Sequence, residues 1–461
     1  MPTVLVTVDS LRADHLGQYG YDRDTMPVLD ELAANGTVFT QAFSNGPYTR
    51  VSIPSFHTSR YLAYGDLDVF STISSALDSV DIRTAAIGTQ TGIGLVPGKF
   101  NFDELIDLGR DEFEEEETEH TVTERTAAYI DTIAAGVSEC LQRRGLDALY
   151  RTLKRPYNAL FDDVTPFRQK GYTSAAEVTD RAITWLETQD DGDFFLWVHY
   201  MEAHRPYGIH DENPAYLDGP CDEERIRDLM ETGGTEPEEI SRADRELMIN
   251  LYDSDLRYCS RHLSRLFDAF REEGLWEDTN WIFSSDHGEE FGEHGLYFHR
   301  NFPYDELIHV PLIFKGSDRS EPSRIDSQRE LLDLAPTICS LHGIDSSEYR
   351  FLGTPLFEGE DRNVVSLGQP GMDEPAVALR ADGWKYIHTP KEELLFDLST
   401  DPEEQDNIAQ SNSETVSRLR QRIPDRLFGR DPKSPRPPKD DVDREQLEAL
   451  GYMELRETGK N

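Results

Sequence analysis

Two apolar stretches in this 461-residue chain end in side chains of the kind that hold metal ions. Thr3-Val4-Leu5-Val6-Thr7-Val8 runs into Asp9-Ser10, and Asn280-Trp281-Ile282-Phe283-Ser284-Ser285 runs into Asp286-His287-Gly288. A short serine-proline loop, Ser52-Ile53-Pro54-Ser55, follows the first of them. Short β-branched runs bounded by turn residues read as buried parallel strands, and open α/β sheets place ligand sites beyond the carboxyl ends of such strands. Carboxylates and an imidazole drawn from distant parts of a chain repel one another or stay poorly solvated unless a divalent cation joins them. Singly, Asp9 reads as a helix cap and Asp286 as the opening of a turn. Together with the serine loop they point to metal-assisted ester chemistry.

The elements that must position these groups follow a doubly wound α/β grammar. The segment to about Gly109 reads as alternating strands and helices, with Ile82 to Gly88 as another inner strand. Ser174 to Gln189 predicts a helix feeding the strand Phe194 to His199, and Leu247 to Glu272 predicts a long helix feeding the Trp281 strand. Residues 111–170 differ: an acidic run, Glu114 to Glu117, is followed by amphipathic stretches, read as a helical insertion or lid. After Ile344 the pattern changes to short alternating segments, including Ala376 to Arg380, Trp384 to His388 and Glu393 to Leu398. The expected division is therefore a catalytic α/β domain over 1–345, a small α+β subdomain over 346–430, and an extended linker with a short helix over 431–461.

The motifs along the chain resemble the sulfatase family of the alkaline phosphatase superfamily. Val8 to Gly17 is similar to the family's opening strand and turn, and Met26 to Ala33 to the helix after it. Ser52-Ile53-Pro54-Ser55 stands where the family carries Cys, Ser or Thr followed by x-Pro-Ser. His199 to Tyr207, Ser285 to Glu289, Gly292-Glu293-His294-Gly295 and His309 to Ile313 follow in the family's order. The resemblance implies a mostly parallel sheet flanked by helices, with a small C-terminal antiparallel sheet. It also implies hydrolysis of sulfate esters, with a sulfated sugar or an aryl sulfate as the small anionic substrate.

Residue by residue, the resemblance makes Ser52 the nucleophile. In true sulfatases that residue is matured to formylglycine, whose hydrate attacks through one hydroxyl and expels sulfate through the other. Serine there requires a serine-type maturation enzyme, or else acts unmodified. Asp9, Asp286 and His287 are the implied metal ligands, with Ser10 standing where many relatives have a second Asp. The family's ion is calcium, but His287 replaces a common Asn, and an imidazole favours manganese or zinc. His204 and His299 resemble the groups that hold the anionic oxygens and protonate the leaving group. Arg12 is a candidate for the anion, or for a salt bridge. His294 reads as support for the metal loop.

Departures from the pattern are Phe56 in place of the arginine that closes the formylglycine signature, and Gly88-Thr89-Gln90 in place of a Lys-x-His pair. They keep two alternatives open: a phosphodiesterase or phosphoglycerol-type transferase using unmodified Ser52, and a non-catalytic anion-binding relative.

Composition sets the outer limits. Hydrophobic residues make up 37%, enough for a large core, while 46 Lys plus Arg against 89 Asp plus Glu leave a formal net charge of -43. Such a surface disfavours nucleic acid and anionic membranes. Acidity spread along the whole length suggests a halophilic, archaeal protein kept soluble by salt that screens over about 3 Å at 1 M. Cys140, Cys221, Cys259 and Cys339 lack metal or disulfide spacing and are expected to be free thiols. No run approaches the roughly 18 apolar residues of a membrane helix, and the first strand leaves no room for a leader, so a cytoplasmic location is expected.

Overall fold

The first strand, Thr3–Val8, is buried along its whole length because it is hydrogen-bonded in parallel to a neighbour on each side, Phe194–Tyr200 and Asn280–Ser285. A strand buried on both faces must be continuously apolar, and this explains why all three runs lack polar alternation. In the computed structural model they form the middle of an eight-stranded sheet. Its spatial order is Ser323–Ile325, Thr37–Phe39, Leu312–Lys315, Asn280–Ser285, Thr3–Val8, Phe194–Tyr200, Arg83–Gly88 and Glu104–Asp107. Leu312–Lys315 runs antiparallel to its neighbours, and the other pairings are parallel. The structure describes residues 1–61, 70–89, 100–108, 173–189, 192–210, 213–299, 302–317, 322–359, 361–371 and 374–428. The expected insertion at 111–170 and the tail at 431–461 lie outside them.

Helices cover the sheet where the 3.6-residue pattern predicts them. Ala175–Leu186 starts at a capping box in which Ser174 and Glu177 satisfy each other's backbone N–H groups, and Arg242–Glu272 starts at the same device made by Ser241 and Asp244. The long helix buries Leu256, Leu263, Phe267 and Phe270 against the core, where Trp281 packs edge-on to both phenylalanines. Beyond the large domain a four-stranded antiparallel sheet is built from Val364–Gly371, Glu374–Ala381, Trp384–His388 and Glu393–Asp397. The fold is thus the mostly parallel α/β sheet with a small C-terminal antiparallel sheet that the resemblance implied. Cys221, Cys259 and Cys339 are free. Among the described residues, no helix is long and apolar enough to cross a membrane.

The serine-proline segment is a helix and not the loop read from sequence. Thr49–Thr58 is helical with Pro54 inside it, and nine of its ten residues are buried. Pro54 has no N–H to give to the carbonyl four residues back. The helix persists because its surroundings hold it: Val51 belongs to the core of the small sheet, with Val365, Leu367 and Leu395. Ser55 and Thr58 also bond back to the carbonyls of Val51 and Pro54, each at 2.6 Å.

One residue of this helix works against the fold. His57 is fully buried among Phe56, Phe100 and Trp197, and neither ring nitrogen has a hydrogen-bond partner. Burial drives its pKa down to about 3, so it sits there as a neutral ring. Two unsatisfied buried polar atoms cost stability. His57→Leu is therefore expected to stabilise the protein by about 1–3 kcal/mol, read as a raised urea midpoint at unchanged slope. A lowered midpoint would show that the imidazole is needed.

Candidate active site

Parallel pairing places Asp9 and Asp286 side by side, since Val8 is in register with Ser285 and the two carboxylates come one residue later. Both are fully buried, as is His287. Asp9, Asp286 and His287 each offer a ligand atom, all within 4.8 Å of one another. His287 Nε2 is 3.5 Å from Asp9 and 3.6 Å from Asp286, while its Nδ1 faces the Gly288 carbonyl at 2.8 Å. An Nδ1–H donated to that carbonyl leaves the Nε2 lone pair aimed between the carboxylates. Gly288 is required because a Cβ there would run into the Glu306 carbonyl.

The electrostatics of this group call for a positive charge. Burial works to raise both carboxylates, but hydrogen bonding to His199 and the nearby His204 and His287 hold Asp9 well below the usual range. Asp286 is pushed up by burial and by the charge on Asp9. Burial would lower His287, yet Asp286 and Asp9 outweigh it and raise its pKa. One Asp286 oxygen, Oδ2, is a buried atom without a satisfying hydrogen-bond geometry. Two carboxylates and an imidazole that otherwise compete for protons fit a divalent cation.

Among the described residues, the hydroxyl that reaches both Asp9 and His287 is that of Thr49. Its Oγ1 lies 3.2 Å from Asp9 Oδ2 and 3.1 Å from His287 Nε2. Thr49 is the first residue of its helix, so the positive end of the helix dipole adds to the field there. Ser52 is brought to the same place but turned: its Oγ donates to the Asp286 carbonyl at 2.6 Å and accepts from Ser44 at 2.9 Å. Ser10, in left-handed backbone at φ 60, donates its hydroxyl to Asp9 Oδ1 at 2.8 Å.

His204 and His299 converge with His287, the ring centres of His204 and His299 being 5.1 Å apart and those of His287 and His299 4.9 Å. Burial lowers His204 to about 4, against the attraction of Asp9. His299 Nδ1 lies 3.1 Å from Glu289, a buried carboxylate that also accepts from Tyr207 at 2.8 Å. Arg12 lies close by with its donors committed: Asp14 at 2.9 and 2.7 Å, Glu293 at 2.7 Å and the Glu289 carbonyl at 3.0 Å. That is the salt-bridge side of the choice posed by the sequence.

Residues that sequence reasoning gave no role complete the arrangement. His199, next to last in its strand, has Nε2 3.5 Å from Asp9 Oδ2. Trp197 donates to Thr7 Oγ1 at 2.9 Å, so the Thr7 hydroxyl is free to donate to His199 Nδ1, 2.8 Å away, which turns the Nε2–H toward Asp9. The signal was present in the register, since Thr7 and His199 are paired directly across the strands. Thr49 had no comparable signal beyond lying one helical turn before Ser52.

Glu202 anchors the loop that carries His204 by accepting from the backbone N–H of Ala175. Burial lifts its pKa to about 8. A carboxyl whose folded pKa exceeds its unfolded one binds its proton more tightly when folded, so stability falls as pH rises from about 4.5 to 8. Glu202→Gln keeps an acceptor for Ala175 and removes that loss. Between pH 5 and pH 8.5 the wild type should lose about 3 kcal/mol more than the variant in urea unfolding. Equal losses would mean Glu202 ionises as it does in water.

Comparison with known proteins agrees with this geometry. The family described as Sulfatase matches residues 2–344, and the chain belongs to that family. A choline-sulfatase of Rhizobium meliloti is 31% identical over 35% of this chain and 33% of its own length. An arylsulfatase of Clostridium perfringens is 24% identical over 93% of this chain and 94% of its own. A phosphatidylethanolamine transferase, Mcr-2, of Escherichia coli is 22% identical over 75% of this chain and 54% of its own. The chain thus spans about a third of the choline-sulfatase, although nearly all of the arylsulfatase. Among solved structures, BT4656 in complex with D-glucosamine-2-N,6-O-disulfate superposes with a TM-score of 0.64 at 16% identity, covering 95% of this chain and 99% of that one. The phosphonate monoester hydrolase of Agrobacterium radiobacter gives 0.61 at 18% identity, over 93% and 97%. These two likenesses bear on the fold.

Proposed function

We propose that the protein is a metal-dependent hydrolase of sulfate esters that attacks through the unmodified hydroxyl of Thr49, in place of Ser52. The observation that carries this is the contact of Thr49 Oγ1 with Asp9 and His287 of the buried Asp9, Asp286 and His287 group. Asp9, Asp286 and His287 would hold a divalent cation, which when bound supplies the positive charge that lowers the pKa of a neighbouring hydroxyl. The imidazole in the set favours manganese or zinc over calcium.

Threonine bears a methyl group on the carbon that would have to become an aldehyde, so the formylglycine route is closed to it. Thr49 Oγ1 instead displaces the alcohol from sulfur, with Asp9 Oδ2 as the acceptor within reach of its proton. His204, neutral before substrate binds, gains a proton once an anionic ester lies beside it and passes that proton to the leaving oxygen. His299, oriented by Glu289, is placed to bind a non-bridging oxygen. Water then cleaves the ester on Thr49. Ser52, Ser10 and Arg12 act in this scheme as supports for Asp286, Asp9 and the metal loop.

The same threonine favours a second reading. An ester on an ordinary hydroxyl is the usual intermediate of phosphoryl transfer, and a phosphodiester carries the same single negative charge as a sulfate monoester. The transferase relative points the same way. Assays with 4-nitrophenyl sulfate and bis(4-nitrophenyl) phosphate, with and without added Mn²⁺, separate the two. Metal-dependent release from the sulfate upholds the first reading; release from the diester alone replaces it with the second. Turnover indifferent to chelation would end both.

The net charge of -43 supports a salt-adapted protein. Its melting temperature is expected to rise by at least about 10 °C between 0.1 and 2 M KCl, because self-repulsion is screened. A flat response would remove that reading.

A further inference from the structure

Ligand-type side chains outside the catalytic group also converge where the small sheet meets the large domain. His294 lies in the loop after Glu290–Phe291, Glu306 in the short helix Asp305–Ile308, and Glu404 in the segment after Glu393–Asp397. One ligand atom from each lies within 4.8 Å of the other two. His294 Nε2 and Glu306 Oε2 are 3.5 Å apart, and neither has a hydrogen-bond partner. The Glu306 side chain is 9% exposed and that of Glu404 0%. A separation of about 3.5 Å is too long for a hydrogen bond and is the spacing of two ligands bound at 2.0–2.2 Å to one ion.

Charge counting gives the same answer. Lys385 bridges Asp305 at 2.6 Å and Glu404 at 2.9 Å, and Arg380 binds Asp305 at 2.7 Å. Those two cations balance those two carboxylates. Glu306 has His294 as its close partner, with the Arg12 guanidinium acting on it only through its field, since four of the five Arg12 donors go to Asp14, Glu293 and the Glu289 carbonyl. His294 is held for the purpose: its ring stacks on Tyr304 with centres 3.6 Å apart and planes 8° from parallel, which fixes the edge that faces Glu306. Glu404 Oε2 is fixed by the Asp305 N–H at 2.7 Å, leaving Oε1, which pairs with the Lys385 charge at 2.9 Å but has no hydrogen-bond partner, to face the cluster.

We propose that His294, Glu306 and Glu404 form a second, structural site for a transition metal ion such as Zn²⁺, tying the loop that carries His287 and His299 to the small sheet. One imidazole and two carboxylates form a zinc-type ligand set, with a fourth position left for water. The site shares no ligand with the catalytic group and does not depend on the function proposed for it.

The test uses the full chain carrying Asp9→Asn and Asp286→Asn, which disable the first site. After incubation with Zn²⁺ and gel filtration it should retain about one equivalent by elemental analysis, and Co²⁺ in place of Zn²⁺ should give the visible bands of a low-coordinate nitrogen-oxygen site. Adding His294→Ala should weaken Zn²⁺ binding by at least about 100-fold. Should that variant fail to fold, Glu306→Gln, which preserves shape and volume, must show the same loss. No Zn²⁺ on the parent variant, or equal Zn²⁺ after Glu306→Gln, would overturn the proposal.

Discussion

Replacing Thr49 with alanine should lower kcat by about 10³-fold or more while leaving the metal content of the protein unchanged, because the attacking oxygen is lost and the three ligands are not. Thr49→Ser should keep most of the activity, since it preserves the hydroxyl at the head of the helix and loses only a methyl group. Ser52→Ala should cost about tenfold. Its hydroxyl donates to the Asp286 carbonyl, so its removal loosens a ligand without removing the nucleophile. The ranking of the three variants is the informative result. A severe Ser52→Ala combined with a mild Thr49→Ala would return the nucleophile to the residue picked out by the sequence motif.

The second large effect concerns Asp286. In the metal-free protein two buried carboxylates face each other, and Asp286 is already raised by burial and by Asp9. Asp286→Asn removes that repulsion along with a ligand. The variant should therefore melt higher than the wild type in chelator and, with His294→Ala placed in both proteins to silence the second site, show no response to metal. The wild type, by contrast, should gain about 4 kcal/mol at a metal concentration 1,000 times Kd. Turnover by the variant should fall at least about 10³-fold. A variant that still responds to metal as the wild type does would place the ion elsewhere.

How far the sequence could be read depended on whether a residue's role is fixed locally or by distant partners. The strands ending at Asp9 and Asp286 were legible because a strand buried on both faces must be apolar to its last residue, so the first polar group marks its carboxyl end. His287 and His204 were legible for the same reason, each lying just past such an end. The placement of Thr49, the nucleophile proposed above, was not, because the segment was read as a loop. In a helix, residues 49 and 52 lie on one face and both hydroxyls reach the strand ends. Which of them meets the ligands depends on where the helix begins, and that is set by Tyr48 and by the packing of Val51 against the small sheet. Arg12 posed the opposite problem. Its position beside the site was clear, but its partner Glu293 is 281 residues away and no local pattern announces the pair. His57 looked like any helical residue, and only its aromatic surroundings mark it as a buried ring without partners.

In the proposed reaction the Thr49 hydroxyl, energised beside Asp9, Asp286 and His287, forms the bond to the substrate. Acid-quenching the metal-loaded enzyme during turnover and mapping its peptides by mass spectrometry tests this directly. The added sulfuryl or phosphoryl group should be found on Thr49, with Ser52 at the mass of plain serine. A group on Ser52, or Ser52 lighter by two hydrogens, would contradict the account.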